Sequence, residues 1–148
     1  MTAPVLAALD AFAAHLAGTP GVATVFATVP TAAIPAGACP ALVLDVRAPA
    51  TRIVSSRRTL VWPVDVYGFA TPQTADREAD IRLAVQLYSD VIARIDQGVK
   101  LGGLLRDPIE YPDPIGTDPG PLAWDGRNYV GFVLMPQLPV WVETRFAQ

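Results

Sequence analysis

The stretch from Thr74 to Gly98, TADREADIRLAVQLYSDVIARIDQG, decides the fold. Ile81, Ala84, Val85, Tyr88, Val91, Ile92 and Ile95 recur at steps of three and four, which places them on one stripe of an α-helix. The opposite face carries Arg77, Glu78, Arg82, Gln86, Asp90 and Arg94. Thr74 or Thr71 can cap the start, and Asp76, Glu78 and Asp80 suit the positive end of the helix dipole. Gly98 and the Gly102-Gly103 pair stand where the helix must stop. A helix with one apolar stripe needs a sheet to bury it against, and runs of strand character lie on both sides of it.

Upstream, Pro4 to Leu16 reads as a first amphipathic helix, with Leu6, Leu9, Phe12 (or Ala13) and Leu16 as its stripe and Gly18 as its stop. Val22 to Val29 is β-branched and aromatic, a strand, and Pro30 to Pro40 is a loop. Ala41 to Arg47 alternates as a second strand. Ala48 to Ser56 is a linker, and Arg58 to Phe69 is a third, long strand. In that strand Leu60, Trp62, Val64 and Val66 share one face, and Val61, Asp65, Tyr67 and Phe69 the other. Pro63 cannot donate to a ladder, so it marks an edge or a bulge. The second and third strands are expected to form a long hairpin with an arginine-bearing tip.

Downstream, Leu101 to Tyr111 reads as a fourth strand broken near Pro108, and Pro112 to Gly126 as an irregular loop ending in an Asp125-Gly126 turn. Asn128 to Met135 and Val140 to Phe146 are two last strands separated by Pro136–Pro139, read as a closing hairpin. The expected fold is one α+β domain over residues 1–148. Its sheet is mixed or mostly antiparallel with two helices on one face, in the order α-β-β-β-α-β-β-β.

Composition narrows the function classes. The chain has 148 residues, 51% of them hydrophobic and 17% charged, enough for a substantial core. No apolar run approaches the roughly 18–20 residues of a membrane span, and the N-terminal stretch lacks the basic start of a signal peptide. An intracellular protein with no membrane partner is therefore expected. The net charge of -3 weighs against a sequence-specific nucleic-acid binder. The single Cys39 and single His15 leave no cysteine-based metal site and little histidine chemistry. A weakly charged, apolar composition suits a subunit that hides part of its surface in an assembly.

Each candidate chemistry has an ordinary counterpart. Asp45 and Asp65, on adjacent strands, have the residue types to share a proton or hold a metal; the ordinary reading puts them in solvent beside Arg47 or Arg58. His15 as a general base lacks a serine or cysteine nucleophile in a recognisable context, and reads as a helix-surface histidine. Cys39, in a loop with no basic neighbour, reads as a small residue. Gly98, Gly102 and Gly103 follow a helix rather than a strand, so they are not a phosphate loop. Arg52, Arg57 and Arg58 suit phosphate or the acidic side chains of a partner, or form a solvated hairpin tip. Trp124 and Trp141 are interface anchors or core residues, and Trp62 is a core residue. No residue is assigned to catalysis, a cofactor or a metal.

The layout carries a resemblance. VDVYGFATP enters the long helix, DVIARIDQGVKLGGLLRD leaves it, and NYVGFVLMPQLPVWVE closes the chain. This pattern resembles the tail terminator (tail completion, minor tail protein U-like) proteins of long-tailed bacteriophages. It spans most of the chain except Pro112–Gly126. The resemblance implies a non-enzymatic virion protein, assembled in the host cytoplasm. Such a protein forms a ring, typically a hexamer, at the head-proximal end of the tail tube. The ring stops tube polymerisation and offers a docking face to the head-tail connector protein. Its partners are then further copies of itself, the tail tube protein and the connector, with Arg52, Arg57, Arg58 and Trp124 as the subunit contacts. The competing readings are a head-completion or neck protein of the same particle, a small α+β enzyme, and a monomeric ligand-binding domain.

Overall fold

The computed structural model describes residues 4–54 and 57–141, with Val54 and Arg57 as backbone only. The fold is α+β. Helix α1 (Pro4–Leu16) leads into β1 (Thr24–Phe26), β2 (Ala41–Val46), β3 (Ala50–Val54) and β4 (Arg57–Pro72). Helix α2 (Arg77–Gln97) follows, then β5 (Gly120–Trp124), β6 (Arg127–Leu134) and β7 (Gln137–Trp141). Among the described residues only β1 and β2 run parallel; every other strand pair is antiparallel.

The sheet is built on β4. Beside its C-terminal half lie β2 and β6, with β1 and β5 outside them, in the order β1-β2-β4-β6-β5. Beside its N-terminal half lie β3 and β7. Thus β2 and β3 run along one side of β4 in sequence, and β6 and β7 along the other. The two flanking lines change strand at the same level of the continuous β4, where Arg47 N–H bonds to the Pro63 carbonyl and Val64 N–H to the Pro136 carbonyl, both at 2.9 Å. Pro63 therefore sits inside the central strand, at the level where its neighbours change over, and not at an edge. Proline tolerates that place because no ladder bond is asked of its missing N–H. Below that level, β3, β4 and β7 form a three-stranded arm; the expected pairing of Ala41–Val46 with β4 is present, but β3 intervenes in sequence and itself pairs with the start of β4, on the arginine-bearing arm.

Four sequence expectations are corrected here. The Ala48–Ser56 linker contains strand β3. Leu101–Tyr111 is not a strand: it opens with a 3-10 turn at Leu101–Gly103, where Gly102 and Gly103 take positive φ, and its backbone joins the sheet through isolated bridges at Leu105 and Glu110 rather than a ladder. Pro112–Gly126 contains strand β5. Finally, β6 and β7 do not form a hairpin with each other; each pairs with β4. Strand β7 also starts earlier than expected, at Gln137, and residues 142–146 of the expected last strand lie outside the described residues.

Both helices pack on one face of the sheet. Ala8, Leu9, Phe12 and Leu16 of α1 and Ala84, Leu87, Val91 and Ile95 of α2 share a core with Leu42, Leu44, Val64, Val66, Phe132 and Leu134. Gly68 makes room for Phe132: a Cβ there meets the ring. The buried stripe of α2 is rotated from the one the spacing predicts. Leu87 and Asp80 face inward, while Ile81 and Val85 are exposed. Asp80 is tolerable there because Thr74 donates to it twice, from N–H at 2.7 Å and from Oγ1 at 2.8 Å. Asp76, rather than Thr74 or Thr71, caps the helix by accepting from the Ala79 N–H at 3.1 Å. The other face of the sheet has a smaller core of Ile34, Ala41, Val43, Phe69 and Tyr129, covered by the loop around the Ala36–Ala38 turn. Tyr129 donates its hydroxyl to the Ile34 carbonyl at 2.7 Å and so ties that loop down.

Candidate functional site

The two long sides of the sheet differ in how they are finished. On the β6–β7 side the outer edge is occupied for almost its whole length. Strand β5 covers β6 from Arg127 to Gly131. The chain from Arg106 to Thr117 covers the rest. Thr117 N–H bonds to Val133 at 2.8 Å, Met135 N–H to Ile115 at 2.8 Å, and Arg106 N–H to Pro139 at 2.9 Å, while Gln137 and Glu110 exchange bonds both ways. On the β2–β3 side the short β1 covers β2 only from Ala41 to Val43. Among the described residues no strand pairs with the outer side of Leu44–Val46 or of β3. This open edge is flanked, towards the helices, by a shallow groove of about 420 Å³ lined by Val5, Leu6, Leu9, Val29, Leu44 and Trp62. Ile53 on β3 is 67% exposed, Leu6 51% and Val29 43%, so exposed apolar side chains lie along the open edge, as they also do on α2 and at Leu104 and Trp141.

The candidate contact residues fall in two places. Arg52 lies on β3, but its guanidinium reaches over β4 to Glu110, with Nη1–Oε1 and Nη2–Oε2 both 2.7 Å. Asp107 stands 3.8 Å from the same guanidinium. The paired geometry draws the Glu110 carboxyl below its ordinary range, chiefly through the Arg52 hydrogen bonds. Arg52 thus holds the arm against the covering segment of its own chain. Arg58, at the start of β4, is exposed. Trp124 ends β5 on the opposite side of the sheet. It is half-buried, edge-on to Tyr67 and Phe69 with ring centroids 5.2 and 5.5 Å away. The structure therefore keeps Arg52 and Arg58 together on the arm and separates them from Trp124.

The remaining candidates have structural partners. Asp45 and Asp65 do face each other across β2 and β4. Asp65 is only 3% exposed, not solvent-facing, and its carboxylate accepts from Arg47 Nε at 2.5 Å. That bond holds the Arg47 guanidinium charged still more firmly than usual. His15 is half-buried, not a free surface group. Its Nε2 lies 2.5 Å from the Arg94 carbonyl, so it carries the proton there, and Arg94 Nε donates back to the His15 carbonyl at 2.8 Å. The pair clasps the C-terminal ends of α1 and α2. Burial raises the Cys39 thiol above its ordinary pKa, which makes it a poor nucleophile. Among the described residues no three His, Cys, Asp or Glu side chains gather as a metal site, and no helix is long and apolar enough to cross a membrane.

Sequence reasoning named Arg47 as a neighbour of Asp65 but not the burial of that carboxylate, and it missed the Arg52–Glu110 clasp and the stack of Arg106 over Trp141, with the guanidinium carbon 5.4 Å from the ring centroid. Arg106 also donates to the buried Thr59 hydroxyl at 2.5 Å. The open edge itself was hinted at only by the arginines at its tip. No known family model, curated protein or solved structure matches the chain.

Proposed function

We propose that the chain is a ring-forming structural subunit of the phage tail terminator type. The ring sits on the head-proximal end of a tail tube, ends its polymerisation and presents a surface to the head-tail connector. The observation that supports this reading most is the asymmetric finish of the sheet. An open strand edge with exposed apolar side chains is a surface for another chain. A subunit with one open and one finished side suits a head-to-tail contact, and a repeated head-to-tail contact closes into a ring when its rotation allows. The α+β class is the one the sequence leads to expect, while the strand after Leu101 and the closing hairpin, both part of the layout on which the resemblance rests, are absent among the described residues.

The test is a tube-capping assay. Purified protein is imaged by negative stain and then added to polymerising tail tube protein of the same particle. Rings with an axial hole, found on one end of tubes that no longer elongate, are expected. Tubes that elongate unchanged contradict the reading. Binding to the connector side alone favours a head-completion protein instead.

A further inference from the structure

The C-terminal ends of α1 and α2 fasten each other. Arg94 Nε donates to the His15 carbonyl at 2.8 Å, and His15 Nε2 lies 2.5 Å from the Arg94 carbonyl. Two glycines make room for this clasp. A Cβ on Gly98 runs into the His15 imidazole, and one on Gly18 runs into the Arg94 guanidinium. Beside the clasp opens a cavity of about 550 Å³, enough for a small molecule. Ala11, Ala14 and His15 of α1 line one wall, and the turn after α2, with Gly98 and Lys100, lines the other. Its titratable lining is His15 and Lys100, the one histidine and the one lysine of the chain. Among the described residues no carboxylate lines it.

A carbonyl oxygen only accepts, so the clasp keeps the imidazole proton on Nε2 and leaves Nδ1 its lone pair. Nδ1 has no hydrogen-bond partner among the described residues. A half-buried histidine whose tautomer is set by a backbone carbonyl is an oriented acceptor, not a swinging surface group. Lys100 is exposed and enters no ion pair among the described residues, so its ammonium is open to an anion. Bare helix C-termini repel anions. Here the carbonyls are engaged: His15 accepts from Gly18 N–H and Arg94 Nε, Ile95 from Gly98 N–H, and Gly98 from Leu101 N–H. The Arg94 guanidinium adds positive charge at the same junction. We infer that this cavity binds a small hydroxylated anion, a hydroxycarboxylate or the phosphate ester of a polyol. Lys100 holds the anionic group, and His15 Nδ1 accepts from the hydroxyl. The cavity uses no residue of the open edge, so its test is independent of the ring reading.

The experiment is an NMR titration of the isotope-labelled full chain at about pH 8, where an ordinary imidazole is neutral. Glycerol phosphate and citrate are the probes that carry both groups. Sulfate is an anion without a hydroxyl, and glycerol carries hydroxyls without charge. Glycerol phosphate or citrate is expected to bind saturably and to shift the His15 Nδ1 resonance and the amides from Gln97 to Gly102. Saturation by either upholds the inference, and the tighter of the two names the acid group preferred. Sulfate and glycerol are each expected to bind at least about tenfold more weakly. Lys100→Gln and Ala14→Glu change exposed positions outside the clasp. Each is expected to weaken binding of the hydroxylated anion by about tenfold, with the circular dichroism spectrum unchanged. No shift with any probe overturns the inference. So does sulfate binding as tightly as the hydroxylated anions, or either variant binding them as the wild type does.

Discussion

The β6–β7 side and the β2–β3 side of this sheet flank the same central strand, yet the chain treats them oppositely. It commits residues 105–124 to finishing the first, with a strand, three isolated bridges and a run of loop hydrogen bonds. Among the described residues it gives the second only the three paired residues of β1. Unpaired N–H and C=O groups on a strand are an invitation to another strand, and monomeric proteins usually blunt them. Here one side is covered out to β5, its outermost described strand, and the other carries Ile53 two-thirds exposed. The contrast teaches that the finished edge belongs to the fold; the proposed function assigns the open edge to a neighbouring chain.

That division can be broken by substitution. The largest effect is expected at Leu105, which is 2% exposed, joins the core and bridges to Val140. Leu105→Ala is expected to lower stability in urea unfolding by about 2–5 kcal/mol; a near-neutral result means the covering segment is dispensable. Next comes Gly116, where a Cβ runs into the Val133 carbonyl oxygen and comes within 2.9 Å of Leu134 Cα. Gly116→Ala is expected to cost about 1–3 kcal/mol by the same measurement, because backbone atoms cannot step aside as a side-chain tip does.

Smaller effects sharpen the comparison at the bridge between the two sides. Arg52 and Glu110 are each more than a third, or close to a third, exposed. Water screens the pair, so Arg52→Ala is expected to cost at most about 1 kcal/mol. The pH dependence has a definite sign. Arg52 depresses the Glu110 pKa in the folded state. The pair's contribution is therefore present above the ordinary glutamate value and lost as pH falls through the lower folded value. Wild-type and Arg52→Ala unfolding curves should converge in acid; a constant gap at all pH values argues against the ionic clasp. Smallest is Ile53→Ala on the open edge, expected to shift stability by less than about 0.5 kcal/mol. The same change should weaken self-association on a sizing column, and a loss of stability without that weakening reverses the roles assigned to the edges.

Much of the fold was legible in the sequence because periodicity carries it. The long helix, the first helix and the β2–β4 pairing all announce themselves through apolar spacing. The rotation of α2 was not legible, since burying Asp80 depends on Thr74 folding back onto it, a contact that no periodicity encodes. Strand β3 was hidden by its short, polar ATRIV sequence beside Pro49, and β5 by the prolines and glycines around it. Leu101–Tyr111 has strand-like composition, but its paired glycines at positive φ start it in a tight turn, and it then lies beside the sheet as a cover. The arginines of the arm were visible, and their destinations were not. Arg52 finds Glu110 fifty-eight positions away, a distance that only the folded sheet closes.

The most direct measurement of the central claim is residue-resolved amide hydrogen exchange on dilute and on self-associated protein. The account predicts that Thr117, Val133, Met135 and Gln137 are protected in both states. The outward-facing amides among Leu44–Val46 and Ala50–Val54 should exchange rapidly in the dilute protein and slow on association. Protection of those open-edge amides in the dilute monomer, or no change in them on association, contradicts it.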